Sequence, residues 1–203
     1  KIKVCGMCDP GNLEELCALA PDFVGFIFYP PSKRFVGSSP DPALFRVPAT
    51  GIKKVGVFVN EELSRVRKVI EDCALDVVQL HGGESVEYCQ RLAGKAKLMK
   101  VLDPGVQSSA MESYASAVDW FLFDTPGEGY GGTGQKFNWT LLKDLEAPAP
   151  FLLSGGIAPG DANAIRSLDY QGMMGIDLNS RFELSPGLKD IQKLKEFFLE
   201  IRK

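Results

Sequence analysis

Residues 53–82, KKVGVFVNEELSRVRKVIEDCALDVVQLHG, decide the fold of this chain. Two apolar, β-branched runs, KKVGVFVN and LDVVQLHG, flank the segment EELSRVRKVIEDCA. The apolar residues of that segment recur at the spacing of one helical face: Leu63, Val66, Val69, Ile70 and Cys73. A strand, a helix and a second strand in this order predict two parallel strands joined by a helical crossover.

The same alternation continues on both sides of this unit. We count eight strand-like runs: IKVCG, FVGFIFY, KKVGVFVN, LDVVQLHG, AKLMKVLD, VDWFLFDT, PFLLSGG and MMGIDLNS. Eight such units predict an α/β protein, a (β/α)8 TIM barrel formed as a single domain by residues 1–203. An open doubly wound sheet is the alternative, but the GxGxxG sequence of dinucleotide-binding folds does not follow the first run. Residues 30–51 are the least regular and predict a long loop with a poor second helix.

Composition, charge and cysteine content argue against several kinds of partner and location. The chain of 203 residues is 45% hydrophobic and 24% charged, with a formal net charge of -3, which disfavours nucleic acid or an anionic membrane as the main partner. No apolar run approaches the roughly 18 residues that span a bilayer. The five cysteines, without a signal-like segment, favour reduced thiols and a cytoplasmic location.

The carboxyl ends of the predicted strands are the expected place for chemistry in such a barrel. Cys5 ends the first strand and shares a strand face with Lys3, whose charge would favour a thiolate. The alternative is a buried structural cysteine, since cysteine is often buried. Cys5 and Cys8 also form a C-x-x-C, but no second cysteine pair completes a zinc site, and His81 is the only histidine. A thioredoxin-like site would need this motif to open a helix in a shorter domain.

Asp124 ends the sixth predicted strand, WFLFD. Burial at the end of an apolar strand raises the pKa of a carboxyl group, which lets it act as a general acid. The alternative is a helix cap or a structural ion pair.

Four loops suggest ligand binding. Gly155 and Gly156 follow the seventh strand, and Asn179 and Ser180 follow the eighth, where barrels commonly bind phosphate. Residues 131–134, GGTG, follow the sixth strand and suggest a loop that closes over a ligand. Arg34, in the long loop after the second strand, is able to hold a carboxylate in bidentate fashion. Ordinary turn glycines and a solvated arginine are the alternatives.

Taken together and in order, these segments resemble the phosphoribosylanthranilate isomerase family. The matching pieces, from Lys3 to Asp190, are KVCGM, GFIFYPPSKRFV, KVGVFVN, VVQLHGGES, LFDT, GGTGQKFNW, LLSGGI and GIDLNS with SRFELSPGLKD. The resemblance implies an isomerase of tryptophan biosynthesis that rearranges N-(5-phosphoribosyl)anthranilate to the 1-deoxyribulose 5-phosphate ketoamine. It implies no metal and no organic cofactor, a small-molecule phosphosugar substrate, and a monomer or homodimer.

The same resemblance assigns roles to residues. Cys5 matches the family's general base, Asp124 its general acid and Arg34 its anchor for the anthranilate carboxylate. His81 lies in the QLHG motif and is expected to line the site. Four residues match the phosphate loops: Gly155, Gly156, Asn179 and Ser180.

The chain departs from the family pattern after the eighth strand, where Asn179-Ser180-Arg181 replaces the usual Ser-Ser-Gly. Cys8, next to the expected base, predicts that oxidation links it to Cys5 and inactivates the enzyme. Two other functions stay open at this point: another phosphosugar-handling barrel enzyme, and a barrel that binds a phosphosugar without catalysis. A catalytic lysine or a histidine-bound metal would favour other enzymes, and the presence of both Cys5 and Asp124 argues against a mere sensor.

Overall fold

The computed structural model describes residues 1–125 and 136–203, and its centre is a closed barrel of eight parallel strands. The predicted barrel is therefore confirmed, and the open sheet is excluded because β1 pairs with both β2 and β8. The strands are β1 (Ile2–Val4), β2 (Phe23–Ile27), β3 (Lys53–Phe58), β4 (Val77–Leu80), β5 (Lys97–Leu102), β6 (Trp120–Phe123), β7 (Phe151–Leu153) and β8 (Met173–Leu178).

Helices cover the outside of the barrel. They are α1 (Pro10–Cys17), α2 (Ala43–Arg46), α3 (Leu63–Cys73), α4 (Val86–Leu92), α5 (Ser108–Tyr114), α6 (Ala162–Arg166) and α7 (Ile191–Ile201), with short 3-10 turns at Trp139–Leu142, Pro159–Asp161 and Ser180–Phe182. The long loop with a poor second helix is confirmed, since α2 has four residues. Each helix in the two described ranges is too short or too polar to cross a bilayer.

Alternation along the strands divides the apolar side chains into two groups. Strand residues that point outward, such as Val78 and Leu80 of β4, form one core layer with helix residues such as Val66 and Ile70 of α3. A smaller group fills the inside of the barrel: Phe23, Val55, Val77, Met99, Leu122 and Leu152. Lys3 and Cys5 are buried on the inner face of β1, as the two-residue period predicts. The lower barrel is therefore filled, and the space for a ligand lies at the carboxyl ends of the strands.

The helical pattern of residues 187–203, GLKDIQKLKEFFLEIRK, predicts a last helix, but a hairpin after β8 takes the place of its first residues. Its strands are β9 (Glu183–Ser185) and β10 (Leu188–Lys189), and α7 begins only at Ile191, after Asp190 caps its first turn. The Asn12 amide of α1 donates to the Lys189 carbonyl at 2.9 Å and accepts from the Lys189 N–H at 2.7 Å. Because Asn12 satisfies both backbone groups, Lys189 remains extended and its side chain is carried into the barrel mouth.

Candidate active site

One cavity at the carboxyl ends of the strands contains all eight residues predicted for the site. Its volume is about 700 Å³, part of which is open to solvent. The predicted residues in its lining are Cys5, Arg34, His81, Asp124, Gly155, Gly156, Asn179 and Ser180. The segment GGTG at residues 131–134 lies outside the described residues.

Cys5 points into this cavity from the end of β1, directly above Lys3. A Cβ atom on Gly25 would lie 2.7 Å from the Cys5 sulfur, so the glycine of β2 makes room for the thiol. Burial raises the pKa of the Cys5 thiol, and the positive charge of the Lys3 ammonium opposes this shift. The thiol therefore rests protonated, beside a cation that stabilises the thiolate when it forms.

Asp124 faces the cavity from β6, three strands away from Cys5 around the barrel. Burial, and next the charge of Asp177, raise the pKa of the Asp124 carboxyl group to about 6. Its Oδ1 accepts a hydrogen bond from the Thr125 N–H at 2.8 Å. An acid with this pKa is partly protonated near neutral pH, which suits a proton donor.

His81 lies beside this acid, with its Nε2 3.6 Å from Asp124 Oδ2. Burial, and next the charges of Lys3 and Lys100, lower the pKa of His81 to about 3. The imidazole is therefore neutral at physiological pH, and the pair carries no ionic attraction that would lower the pKa of Asp124.

Glu84 fixes the loop that carries His81. It is buried, accepts from the Asn60 and Gly82 N–H groups at 2.8 and 2.9 Å, and pairs with Lys100 at 3.0 Å. Lys100 also donates to the Gly82 carbonyl at 2.6 Å. Sequence reasoning missed both Glu84 and Lys100, although a lysine inside the apolar run AKLMKVLD was a signal for a buried partner.

Three buried polar residues lie on the barrel wall between the base and the acid. Lys3 Nζ pairs with Asp177 Oδ1 at 2.9 Å, and Asp177 and Ser154 line the same cavity as Asp124. Lys3 was recognised in the sequence as a neighbour of Cys5. Asp177 and Ser154 were recognised only as parts of loop segments, because sequence spacing does not reveal which strand ends meet.

Arg34 reaches the cavity from the long loop after β2, and Glu183 holds it there. The guanidinium donates to the Glu183 carboxylate through Nε at 2.9 Å and Nη2 at 2.7 Å. Lys189 Nζ joins Glu183 at 2.7 Å and Asn179 Oδ1 at 2.8 Å. A Cβ atom on Gly6 would lie 2.6 Å from Arg34 Cδ, so only glycine allows this approach. The sequence analysis did not identify Glu183 or Lys189.

The loops after the neighbouring strands β7 and β8 lie side by side at the rim of the cavity. Gly155 and Gly156 both have positive φ, 84° and 64°, which a side chain would strain. Ser180 opens the 3-10 turn after β8, and Arg181, the departure from the family pattern, is exposed. Bare backbone at two glycines, with an amide and a hydroxyl beside it, is suited to bind an anion.

The C-x-x-C motif is not part of a metal-binding cluster in the described residues. Cys8 Sγ lies 3.3 Å from the Arg34 carbonyl oxygen, and all five cysteines are free. Within residues 1–125 and 136–203, no three His, Cys, Asp or Glu side chains are grouped closely enough to hold a metal ion.

Known proteins resemble the chain over nearly its whole length. Residues 2–200 match the family model described as N-(5'phosphoribosyl)anthranilate (PRA) isomerase. An N-(5'-phosphoribosyl)anthranilate isomerase of Parabacteroides distasonis is 46% identical, over 98% of this chain and 92% of the relative.

Two solved structures share the fold. A phosphoribosyl anthranilate isomerase in complex with reduced 1-(o-carboxyphenylamino)-1-deoxyribulose 5-phosphate is 27% identical, with a TM-score of 0.83 over 100% of this chain and 98% of the other. The structure of monomers generated from the dimeric Thermotoga maritima enzyme is 28% identical, with a TM-score of 0.79 and the same coverage. With its barrel, its strand-end residues and these matches, the chain belongs to the N-(5'-phosphoribosyl)anthranilate isomerase family.

Proposed function

We propose that this chain catalyses the Amadori rearrangement of N-(5-phosphoribosyl)anthranilate to 1-(o-carboxyphenylamino)-1-deoxyribulose 5-phosphate, with Cys5 as general base and Asp124 as general acid. The observation that carries the assignment of roles is their placement. Cys5 and Asp124 enter one cavity from strands that lie three apart around the barrel, so a sugar between them has one group on each side. The reaction requires an acid at the ring oxygen and a base at C2.

One side of the cavity is apolar and suits the aromatic ring of the substrate, and the other side suits its phosphate. Ile27, Val57 and Val59 form an apolar wall on β2 and β3, close in the barrel order to the loop of Arg34. This side suits an aromatic ring, and Arg34 is placed to bind its carboxylate through the guanidinium edge that Glu183 leaves free.

The phosphate end of the substrate is assigned to the loops after β7 and β8. Gly155 and Gly156 offer backbone N–H groups, and Asn179 and Ser180 add side-chain donors. Lys189 donates to Asn179 Oδ1, so the amide NH2 is the group of Asn179 that remains for the phosphate. The substrate then spans the mouth with its ribose between Cys5 and Asp124.

In this arrangement Asp124 protonates the ring oxygen of the sugar. The C1–O bond breaks, the ring opens, and the nitrogen lone pair forms a protonated imine. Cys5, as thiolate beside Lys3, removes the proton from C2. The electron pair moves toward the imine nitrogen and gives an enolamine, which becomes the ketoamine when C1 gains a proton and the C2 hydroxyl loses one. Because the imine nitrogen is itself the electron sink, the proposed chemistry uses no metal or organic cofactor.

We further propose that residues 1–203 work as one isomerase domain, since β1 and β8 close the barrel and link both ends of the chain. The proposed location is the cytoplasm, where reducing conditions keep a catalytic thiol free. We propose a small-molecule phosphosugar as the partner and a monomer or homodimer as the assembly.

The test is the loss of anthranilate-type fluorescence from freshly generated phosphoribosylanthranilate. The wild type is compared with Cys5→Ser and Asp124→Asn, after circular dichroism has shown that both variants are folded. We expect rapid turnover by the wild type and a fall in kcat of ~10²-fold or more in each variant.

Other outcomes would redirect the assignment. A folded wild type that binds the substrate without turnover would favour the non-catalytic barrel, and turnover of a different phosphosugar alone would favour another barrel enzyme. Full activity in both variants would keep the reaction and refute the proposed acid and base.

A further inference from the structure

Lys189 is a buried lysine that takes no part in the proposed proton transfers. Its side chain is 0% exposed, and the two backbone hydrogen bonds with Asn12 keep the residue extended. Behind the cavity wall the ammonium group donates to Asn179 Oδ1 at 2.8 Å and to Glu183 Oε1 at 2.7 Å. Because a lysine is seldom fully buried without a specific partner, these two contacts indicate the role of the residue.

One contact leads to Arg34, the proposed anchor for the carboxylate. Glu183 accepts from Arg34 Nε at 2.9 Å and Nη2 at 2.7 Å, so one carboxylate pairs with two cations. Within residues 1–125 and 136–203, no second carboxylate pairs with either cation. Burial lowers the pKa of Lys189, and the charge of Glu183 opposes this shift only in part. The cluster is therefore short of negative charge, and an anion bound by Arg34 would supply it.

The other contact leads to Asn179, at the proposed phosphate end. An ammonium group has donors only, so the Asn179 amide presents its oxygen to Lys189 and its NH2 group elsewhere. A Cβ atom on Gly6 would lie 3.0 Å from Asn179 Oδ1 and 2.6 Å from Arg34 Cδ, so the glycine leaves room for both side chains. The serine that the family usually has in place of Asn179 needs no such orientation, because a hydroxyl rotates and both donates and accepts.

We propose that Lys189 is a positioning residue that prepares both ends of the cavity for an anion. Through Glu183 it leaves Arg34 incompletely neutralised and therefore attractive to a carboxylate. Through Asn179 Oδ1 it directs the amide NH2 group toward the phosphate. The cavity then selects molecules that carry an anion at each end, and this inference rests on the proposed function for which end holds which anion.

Lys189→Met removes the ammonium group with little disturbance of the packing. Methionine occupies a similar volume, and Glu183 keeps Arg34 as its counter-ion, so the remaining ion pair is balanced. Circular dichroism and denaturant unfolding establish that the variant is folded before its binding is measured. If the methionine variant does not fold, Lys189→Gln, which also lacks the charge, serves for the carboxylate half of the test.

The deciding measurement is the affinity for each anion alone. Anthranilate and inorganic phosphate are titrated separately into isotope-labelled enzyme and followed by NMR, which does not depend on turnover. We expect Lys189→Met to weaken both ligands ~5-fold or more. Arg34→Met should weaken anthranilate alone, and Ser180→Ala should weaken phosphate alone. In turnover, KM of Lys189→Met should rise ~10-fold while kcat stays within ~3-fold of the wild type, because Lys189 affects binding and not the proton transfers.

Asn179→Ser separates the orientation of the amide from the charge of the lysine. Loss of the ammonium charge acts on phosphate whether residue 179 is asparagine or serine, whereas loss of the orientation acts only on asparagine. The factor by which Lys189→Met weakens phosphate should therefore be ~3-fold or more larger with Asn179 than in the Asn179→Ser background.

Three results would overturn the inference: a Lys189→Met variant that binds both anions as the wild type does, one that weakens a single anion only, or an equal loss of phosphate affinity in the two backgrounds. The inference and the proposed function fail differently. A wild type that binds both anions without turnover refutes the function alone. Turnover by the wild type together with any of the three results refutes only the role of Lys189.

Discussion

Glu183 and Arg34, 149 residues apart in the chain, form a two-point ion pair at the rim of the cavity, with Nε–Oε1 at 2.9 Å and Nη2–Oε2 at 2.7 Å. The pair joins the loop after β2 to the hairpin after β8. Glu183 also accepts from Lys189, so one buried carboxylate holds two cations. Arg34 is therefore positioned before substrate arrives, which reduces the entropy lost on binding.

Glu183→Gln should loosen this arrangement without removing Arg34. We expect KM to rise ~10-fold while kcat stays within ~3-fold of the wild type. The reason is that Arg34 would bind the substrate equally in the ground state and in the transition state. Steady-state kinetics with Arg34→Lys as a comparison would measure this effect. An unchanged KM in Glu183→Gln would show that Arg34 does not need the carboxylate. Glu183→Ala is a poorer test, since two buried cations without a partner would cost about 3 kcal/mol or more of stability.

Gln79 offers a test of the floor of the cavity. The side chain lines the cavity and is 2% exposed, and its Oε1 accepts no hydrogen bond within the part of the chain that the structure describes. An unsatisfied buried acceptor costs about 1 kcal/mol or more. Gln79→Met should therefore raise the free energy of unfolding by about 1 kcal/mol and lower kcat/KM, if the oxygen accepts from a sugar hydroxyl. Denaturant unfolding measures the change in stability, and steady-state kinetics measure the change in kcat/KM. A less stable variant with full activity would contradict both expectations.

The pH profile of kcat/KM follows from the two catalytic groups. In the active form Cys5 and Asp124 together carry one proton, and this proton is on the Asp124 carboxyl group. Below pH 6 both groups are protonated, and far above it, beyond the raised pKa of the thiol, both are ionised. We expect the rate to rise toward about pH 6, stay level through neutral pH and fall in the alkaline range. A rate that falls as pH rises through 6 would mean that the thiolate is formed independently of Asp124.

Asp124 should also influence stability in a pH-dependent way. Its folded pKa, about 6, lies above the usual 3.8, so the folded state binds more protons between these values and stability is lost as pH rises through 6. Asp124→Asn has no carboxyl group at this position and does not lose this stability as pH rises. Its advantage over the wild type in free energy of unfolding should grow by about 2 kcal/mol between pH 4 and pH 7. His81, whose pKa of about 3 gives the opposite trend, is present in both proteins and cancels in the difference. A constant difference would contradict the raised pKa.

The link between Cys5 and Cys8 on oxidation remains a prediction. In the structure both thiols are free, and Cys8 Sγ lies next to the Arg34 carbonyl. Peroxide treatment should abolish turnover and consume two thiols, with recovery on adding a reductant, and Cys8→Ser should prevent that reversible loss. Treated enzyme with full activity and both thiols free would disprove it.

Much of the fold could be predicted because its signals are local. The period of two in KKVGVFVN and the helical spacing from Leu63 to Cys73 each arise within a few residues, and repetition of this unit predicts parallel strands. Cys5, Asp124 and the glycines 155 and 156 were recognisable because they stand at the ends of such runs. The start of the last helix was misplaced, since the hydrogen bonds of Lys189 to Asn12 are made across the fold.

By itself, then, the sequence determined the order of strands and helices, the polar strand ends and the family resemblance. Only the tertiary structure decided that the sheet closes, that Glu183 holds Arg34 with Lys189 beside it, and that Lys3, next to Cys5, pairs with Asp177. The physical reason is distance along the chain. Closing the barrel brings strand ends from all parts of the sequence to one rim, and their buried charges then find partners that no local pattern encodes.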